Sequence, residues 1–307
     1  MSQGSLSETP PGLHGGAAPR PLRGVRRRRL GLSSGIEIAL LDFGGRGPLA
    51  LLHHATGFCA GVWGLVAEGL RERFHVWALD ARGHGDSSKP EAPEAYRWEC
   101  FADDLEELAL ALAAEHGGRI GLGVGHSFGG TATLAVAARR PALFERLLLV
   151  DPVIPPPSSA PIDPARREGA QRLARAARER RPHWPSRDDV RASWAGKDFF
   201  AGWQPLALEL YLAEGLRELA DGTVELKCPP EVEAAIFEAS GSLDVFALAP
   251  SVTARVRIQW ARRGNFPREV YEALAARMRQ AEVEDVDAGH LVPMERPELV
   301  IASALRD

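Results

Sequence analysis

Short apolar runs and amphipathic stretches take turns along this 307-residue chain. Leu49 to His53, Phe74 to Asp80, Arg119 to Val124 and Arg146 to Asp151 are compact apolar runs of strand length. Between them, Phe101 to His116 carries Leu105, Leu108 and Leu112 on one face, the spacing of an amphipathic helix. Gly130 to Ala138 reads as a second helix, built from small residues that allow close packing. Strands alternating with helices in this way predict an α/β fold, with a mostly parallel central sheet flanked by helices on both faces. Ahead of it, Val25 to Leu30 and Ile36 to Asp42 flank a Ser34-Gly35 turn and predict an antiparallel hairpin, which places the Arg26 to Arg29 run on a solvated strand.

The alternation stops at Ile154. From there to about Ser251 the chain is proline-rich and helical, and Val252 to Ala261 and Ala281 to Val286 then restore the strand pattern. This predicts a core formed by residues 24–153 and 252–307, with a helical cap, residues 154–251, inserted between two sheet strands. Residues 1–23 are rich in Gly, Pro and Ser, contain few large hydrophobes, and are expected to remain a disordered tail.

Composition narrows the function classes. A hydrophobic content of 45% fills an ordinary globular core, and a net charge of -4 gives no electrostatic reason to expect nucleic acid. Cys59, Cys100 and Cys228 lack C-x-x-C pairing, so neither a disulfide framework nor a zinc site is expected, and a reducing cytoplasm is the expected compartment. His14, His75, His116 and His183 have no clustered carboxylates or cysteines around them and are not read as metal ligands. No run approaches the roughly 18 apolar residues of a membrane span, and no secretory signal is expected.

The chemistry concentrates at Gly125-His126-Ser127-Phe128-Gly129, a G-x-S-x-G segment between a glycine-rich strand and a small-residue helix. A sharp strand-to-helix turn lifts a serine above the sheet edge, and the flanking glycines let backbones pass closely, so Ser127 is the candidate nucleophile. Serine is a poor nucleophile near neutral pH without a base to take its proton.

Four segments in order, Leu51 to Phe58, Ala78 to Ser87, Gly125 to Gly130 and Ala288-Gly289-His290, resemble the α/β-hydrolase family, and the resemblance runs from about Val25 to Leu305. It implies that His290, after a short strand and a glycine, is the base, with Pro293 to Pro297 as the family's terminal segment. It also implies oxyanion donors from the backbone N–H groups of Phe128 and Thr56, with Ala55 as a substitute for Thr56. Serine at the elbow argues against the dehalogenase and epoxide-hydrolase branches, which use aspartate there. The segment Ile258 to Pro267 departs from the family's commonest pattern, because it has no carboxylate after the late strand. A variation within the family puts the acid one strand earlier, and there Asp151 ends Leu148-Leu149-Val150. Asp244 and Asp287 are rival acids, Asn265 is a weaker, neutral orienter of the histidine, and a purely structural turn is the competing role for Asp151.

In the cap, Arg166, Arg167, Arg172, Arg175, Arg178, Arg180 and Arg181 follow a helix start at Asp163-Pro164 and are read as a solvated face. Trp184, Trp194, Phe199, Phe200, Trp203 and Tyr211 are read as cap core or as the lining of an apolar acyl pocket. His53, His54, His84 and His126 are given structural roles, and Asp80 to Ser88 a locally bonded turn. The resemblance implies a serine hydrolase of a small to medium apolar ester, with no metal or organic cofactor. Carbon–carbon, lactone or thioester cleavage and cofactor-free perhydrolysis stay open, as does a non-catalytic ligand-binding receptor.

Overall fold

The computed structural model describes residues 6–9, 18–160 and 164–306. Its main sheet is built from β1 (Leu6–Thr9), β2 (Arg26–Gly31), β3 (Glu37–Gly45), β4 (Leu49–His53), β5 (His75–Leu79), β6 (Ile120–His126) and β7 (Phe144–Val150). After β8 (His183–Trp184), β9 (Leu216–Glu218) and β10 (Val224–Leu226), which lie elsewhere, β11 (Arg255–Arg263) and β12 (Ala281–Gly289) complete it. The order across the sheet is β1-β2-β3-β5-β4-β6-β7-β11-β12. The six strands from β5 to β12 run parallel, and β1 to β3 are antiparallel.

The parallel strands read as continuous apolar runs because both faces are covered. Leu49 and Leu51 of β4 join one apolar cluster and Ala50 and Leu52 the other, as the two-residue period of a strand requires. On the first face lie α2 (Trp98–Glu115) and α3 (Phe128–Arg139), and on the second lies α1 (Gly64–Leu70). Every residue of α3 from Phe128 to Ala138 is buried, which its small side chains permit.

The expectation for residues 1–23 changes in two places. Leu6–Thr9 pairs with β2, Leu6 opposite Leu30, and a 3-10 turn at Arg20–Leu22 buries Pro21 and Leu22. An open sheet edge presents backbone donors and acceptors, so it recruits a segment that has little apolar content of its own. Residues 1–5 and 10–17 lie outside the described residues.

The insertion after β7 holds α4 (Pro164–Arg178), α5 (Arg187–Ala195), α6 (Asp198–Ala201), α7 (Pro205–Glu214), α8 (Pro230–Glu238) and α9 (Val245–Leu248). It is not purely helical, since β8, β10 and β9 form a three-stranded antiparallel sheet within it. Its final turns return early: Val245 and Ala249 share an apolar cluster with Ala132 and Val136 of α3. Asp163, the expected helix start, lies outside the described residues. The insertion is tied to the core by ion pairs. Arg27 of β2 bonds both carboxylate oxygens of Glu214 at the end of α7, and Lys227 reaches Asp86 at 2.8 Å. The chain closes with α10 (Arg268–Ala275), α11 (Val292–Glu295) and α12 (Pro297–Leu305).

Candidate active site

Between β6 and α3 the chain turns at Ser127, whose backbone takes φ 55° and ψ -122°, a conformation L-residues avoid. The surroundings hold it there: Ser127 N–H donates to the Val150 carbonyl at 3.0 Å, and its own carbonyl accepts from Val153 N–H at 3.2 Å. The flanking glycines are required by contact. A Cβ on Gly125 would lie 2.5 Å from the Gly129 carbonyl oxygen, and one on Gly129 2.5 Å from the carbonyl oxygens of His53 and His54.

His290 follows β12, four strands along the sheet order from β4 and three from β6. Its Nε2 lies 2.9 Å from Ser127 Oγ, and its Nδ1 lies 2.6 Å from Asp151 Oδ2. A carboxylate accepts, so Nδ1 carries the proton and Nε2 is left to accept from the serine. Asp151 is fully buried, and like Ser127 it takes a positive φ, 40°. Its other oxygen accepts from Ala261 N–H and from Tyr271 O–H, each at 3.0 Å. Burial and the neighbouring Asp151 push the Tyr271 phenol well above its ordinary range, so it stays a donor. Gly264 leaves room for this carboxylate, since a Cβ there would lie 2.6 Å from Asp151 Oδ2.

The backbone around His290 is also fixed. Glu295 accepts from Gly289 N–H at 2.6 Å and Leu291 N–H at 3.3 Å, the residues on either side of the histidine. His126 Nε2 donates to the His290 carbonyl at 2.8 Å. Burial, then the nearby His290, holds the His126 imidazole down to about 3, so it is neutral and keeps this bond.

Phe128 is the first residue of α3, where helix geometry offers its N–H no intrahelical acceptor. Its ring is packed edge-on against Trp98 and Phe101. Thr56 is half-buried in the turn after β4, and Ala55 beside it is buried. Buried histidines surround this turn. His54 Nδ1 donates to the Ala55 carbonyl at 2.7 Å while Nε2 accepts from Ala81 N–H at 3.0 Å. His84 Nδ1 donates to the Arg82 carbonyl, and Nε2 accepts from Gly57 N–H, both at 3.0 Å. Burial lowers His54 to about 4 and His53 to about 3, and burial followed by His54 lowers His84 well below the imidazole range. Neutral rings are what these donor–acceptor pairs need.

The rival acids are engaged elsewhere. Asp244 caps α9 and accepts from Ser158 N–H, and Asp287 pairs with Arg263. The Asp80 turn is locally bonded as expected, with Ser87 Oγ donating to the Asp80 carbonyl, and Asp80 also accepts from Ala60 N–H at 2.6 Å. Among the cap arginines, Arg180 departs from the solvated-face expectation: it turns inward to Glu233 and to Tyr211 Oη, at 3.1 Å from the latter. Tyr211 in turn donates to the Gly57 carbonyl at 2.8 Å. Trp194 stacks on Phe200 and Tyr211, Trp203 and Tyr211 lean on Phe58, and Phe199 is exposed. Glu295 has no site role in the sequence reading, His126 and His54 have only structural ones, and Tyr211 is read as cap core or pocket lining rather than as a partner of the Gly57 carbonyl. Glu295 and His126 had local signals, in the segment after His290 and inside the elbow.

A sequence model of the alpha/beta hydrolase family matches residues 50–303. Over 107 residues the chain is 36% identical to the 2-(acetamidomethylene)succinate hydrolase of Mesorhizobium japonicum, covering 35% of this chain and 36% of that protein. Over 126 residues it is 33% identical to the N-formylmaleamate deformylase of Pseudomonas putida, covering 41% and 45%. Matches to these and to the mycobacterial relatives thus span 29% to 45% of the relatives' lengths. Among solved structures, an E-2-(acetamidomethylene)succinate hydrolase superposes with a TM-score of 0.74 at 24% identity, over 91% of this chain and 97% of that one. A thermophilic esterase from Thermogutta terrifontis superposes with a TM-score of 0.64 at 27% identity, over 90% and 96%. No described helix is long and apolar enough to cross a membrane.

Proposed function

The chain belongs to the α/β-hydrolase family, and from that premise we propose that it is a serine hydrolase that cleaves a small to medium apolar carboxylic ester by acyl transfer. The observation that carries this reading is the hydrogen-bonded line from Ser127 Oγ through His290 to Asp151, at 2.9 and 2.6 Å.

Ser127 Oγ attacks the ester carbonyl carbon as its proton passes to His290 Nε2. The imidazolium that forms is stabilised by Asp151, which accepts from Nδ1 throughout. Charge develops on the former carbonyl oxygen, and the backbone N–H groups of Phe128 and Thr56 donate to it. Collapse of the tetrahedral adduct breaks the bond to the leaving alcohol, which takes the proton from Nε2. Water then repeats the sequence on the acyl-enzyme, with His290 again as base, and restores Ser127. Phe58 packs against Trp203 and Tyr211 of the cap, and this apolar cluster is assigned to the acyl side of the reaction. The receptor alternative rests on the missing acid after β11, and the Asp151–His290 contact at 2.6 Å supports turnover over that alternative.

A second reading is cleavage of an acid-bearing amide by the same groups, favoured by the names of two relatives, an (acetamidomethylene)succinate hydrolase and a formylmaleamate deformylase. The test is labelling by a fluorophosphonate probe, with Ser127→Ala as control, alongside p-nitrophenyl esters from acetyl to octanoyl and N-acyl amides of dicarboxylic acids. Ser127-dependent labelling with ester turnover is expected. No labelling and no turnover of either class refutes the hydrolase reading, and turnover of the amides alone selects the second.

A further inference from the structure

We propose that His54 is a positioning residue that aims the oxyanion donor, through the bond from its Nδ1 to the Ala55 carbonyl. This inference rests on the serine-hydrolase reading, since it concerns the Thr56 N–H of that mechanism.

The Ala55 carbonyl and the Thr56 N–H belong to one peptide unit. A trans peptide is planar, so its C=O and N–H point in opposite directions and one cannot be turned without the other. His54 Nδ1 holds the oxygen end at 2.7 Å, and Phe58 N–H holds it again at 3.2 Å. The nitrogen end is thereby directed away from His54. A hydrogen bond accepted at the carbonyl also polarises the amide and makes its N–H a stronger donor.

His54 is itself immobile. It is fully buried, and its second nitrogen accepts from Ala81 N–H at 3.0 Å, which ties it to the chain leaving β5. Both ring nitrogens are thus committed, one to framework and one to the oxyanion peptide. The next two peptides are held as well: His84 Nε2 takes Gly57 N–H at 3.0 Å, and Tyr211 O–H reaches the Gly57 carbonyl from the cap at 2.8 Å. Pre-set donors act on the transition state without reorganising, which is where an oxyanion site obtains its effect.

The two bonds of His54 are separable by substitution. Asn places an amide nitrogen near the position of Nδ1 and keeps the bond to Ala55, whereas Gln reaches the position of Nε2 and keeps the bond to Ala81. The readout is the ratio of affinities for a short-chain trifluoromethyl ketone and the methyl ketone of the same length. The fluorinated ketone adds Ser127 Oγ to its carbonyl carbon, passes the serine proton to His290 and leaves an alkoxide at the oxyanion donors, while the methyl ketone binds unreacted.

His54→Gln is expected to lower that ratio about tenfold relative to wild type, and His54→Asn to restore it to within about threefold. A wild-type ratio in His54→Gln, or equal losses in the two variants, overturns the proposal. A second measurement needs only wild-type protein: the His54 Nδ1 proton resonance is expected to shift on binding the trifluoromethyl ketone and not the methyl ketone, and an unmoved resonance overturns the proposal. Absence of fluorophosphonate labelling in wild type refutes the hydrolase reading itself and carries this inference with it.

Discussion

Acidifying the protein from pH 7 to pH 5 is expected to destabilise it sharply, because four imidazoles are buried in neutral form. His53 and His126 are held down to about 3 and His54 to about 4, against an ordinary value of 6.5, and His84 is displaced in the same direction. The unfolded chain takes up a proton at each below about pH 6.5, while the native state takes up none until much lower pH. Stability from these groups is therefore complete above the unfolded value and is lost as pH falls towards the folded ones. At 1.36 kcal/mol per unit, each such histidine removes about 2 kcal/mol between pH 7 and pH 5. The three with values together remove about 6 kcal/mol, comparable with the whole stability of many domains. Burial raises the carboxyls of Asp80 and Asp104, which act in the opposite sense, but they are two against four. Urea unfolding followed by tryptophan fluorescence at constant ionic strength measures the effect. A free energy of unfolding that changes by less than about 1 kcal/mol across this window refutes the reasoning.

Two further outcomes concern the catalytic line. Asp151→Asn is expected to lower kcat by about a thousandfold or more with KM little changed, since the amide no longer fixes the Nδ1 proton of His290; steady-state kinetics within about tenfold of wild type would move the acid elsewhere. Ser127→Gly is expected to be more stable than Ser127→Ala by about 1 kcal/mol, reversing the usual order, because only alanine keeps a Cβ at φ 55°. Calorimetry on the pair reads this directly, and an alanine variant equal or superior to glycine contradicts the strain assigned to the elbow.

The framework was legible wherever periodicity and turn chemistry agree. The β4, β5, β6 and β7 runs, the Leu105-Leu108-Leu112 face of α2 and the Ser127 elbow all announce themselves locally. The edge strand Leu6–Thr9 did not, because it is recruited by backbone pairing to β2 rather than by apolar content of its own. The short strands of the cap, two or three residues each, fall below the length at which a period of two is readable. Asp151 was legible through the family resemblance, as the acid one strand early, with Asp244 and Asp287 as rivals. What distinguishes it is Tyr271 and Ala261 N–H, 120 and 110 residues away, a convergence that no local pattern encodes. The same holds for Arg180, whose neighbours in sequence are solvated arginines while its partners are Glu233 and Tyr211.

The location of Asp151 directly after β7 has a consequence for how such a molecule can change. The proposed Thr56 donor comes from the turn after β4; Ser127, the proposed acid and the proposed Phe128 donor sit together around β6, α3 and β7, and the proposed base His290 arrives 139 residues beyond Asp151. The cap is threaded between these two contributions. It can therefore lengthen, shorten or be exchanged for another without altering the spacing of nucleophile and acid, provided that β12 is still delivered to the same edge. The turn after β11, relieved of carrying a carboxylate, needs only to keep Gly264 small and is otherwise open to variation. An enzyme organised in this way can acquire new substrates by swapping its lid while its charge-handling half stays intact.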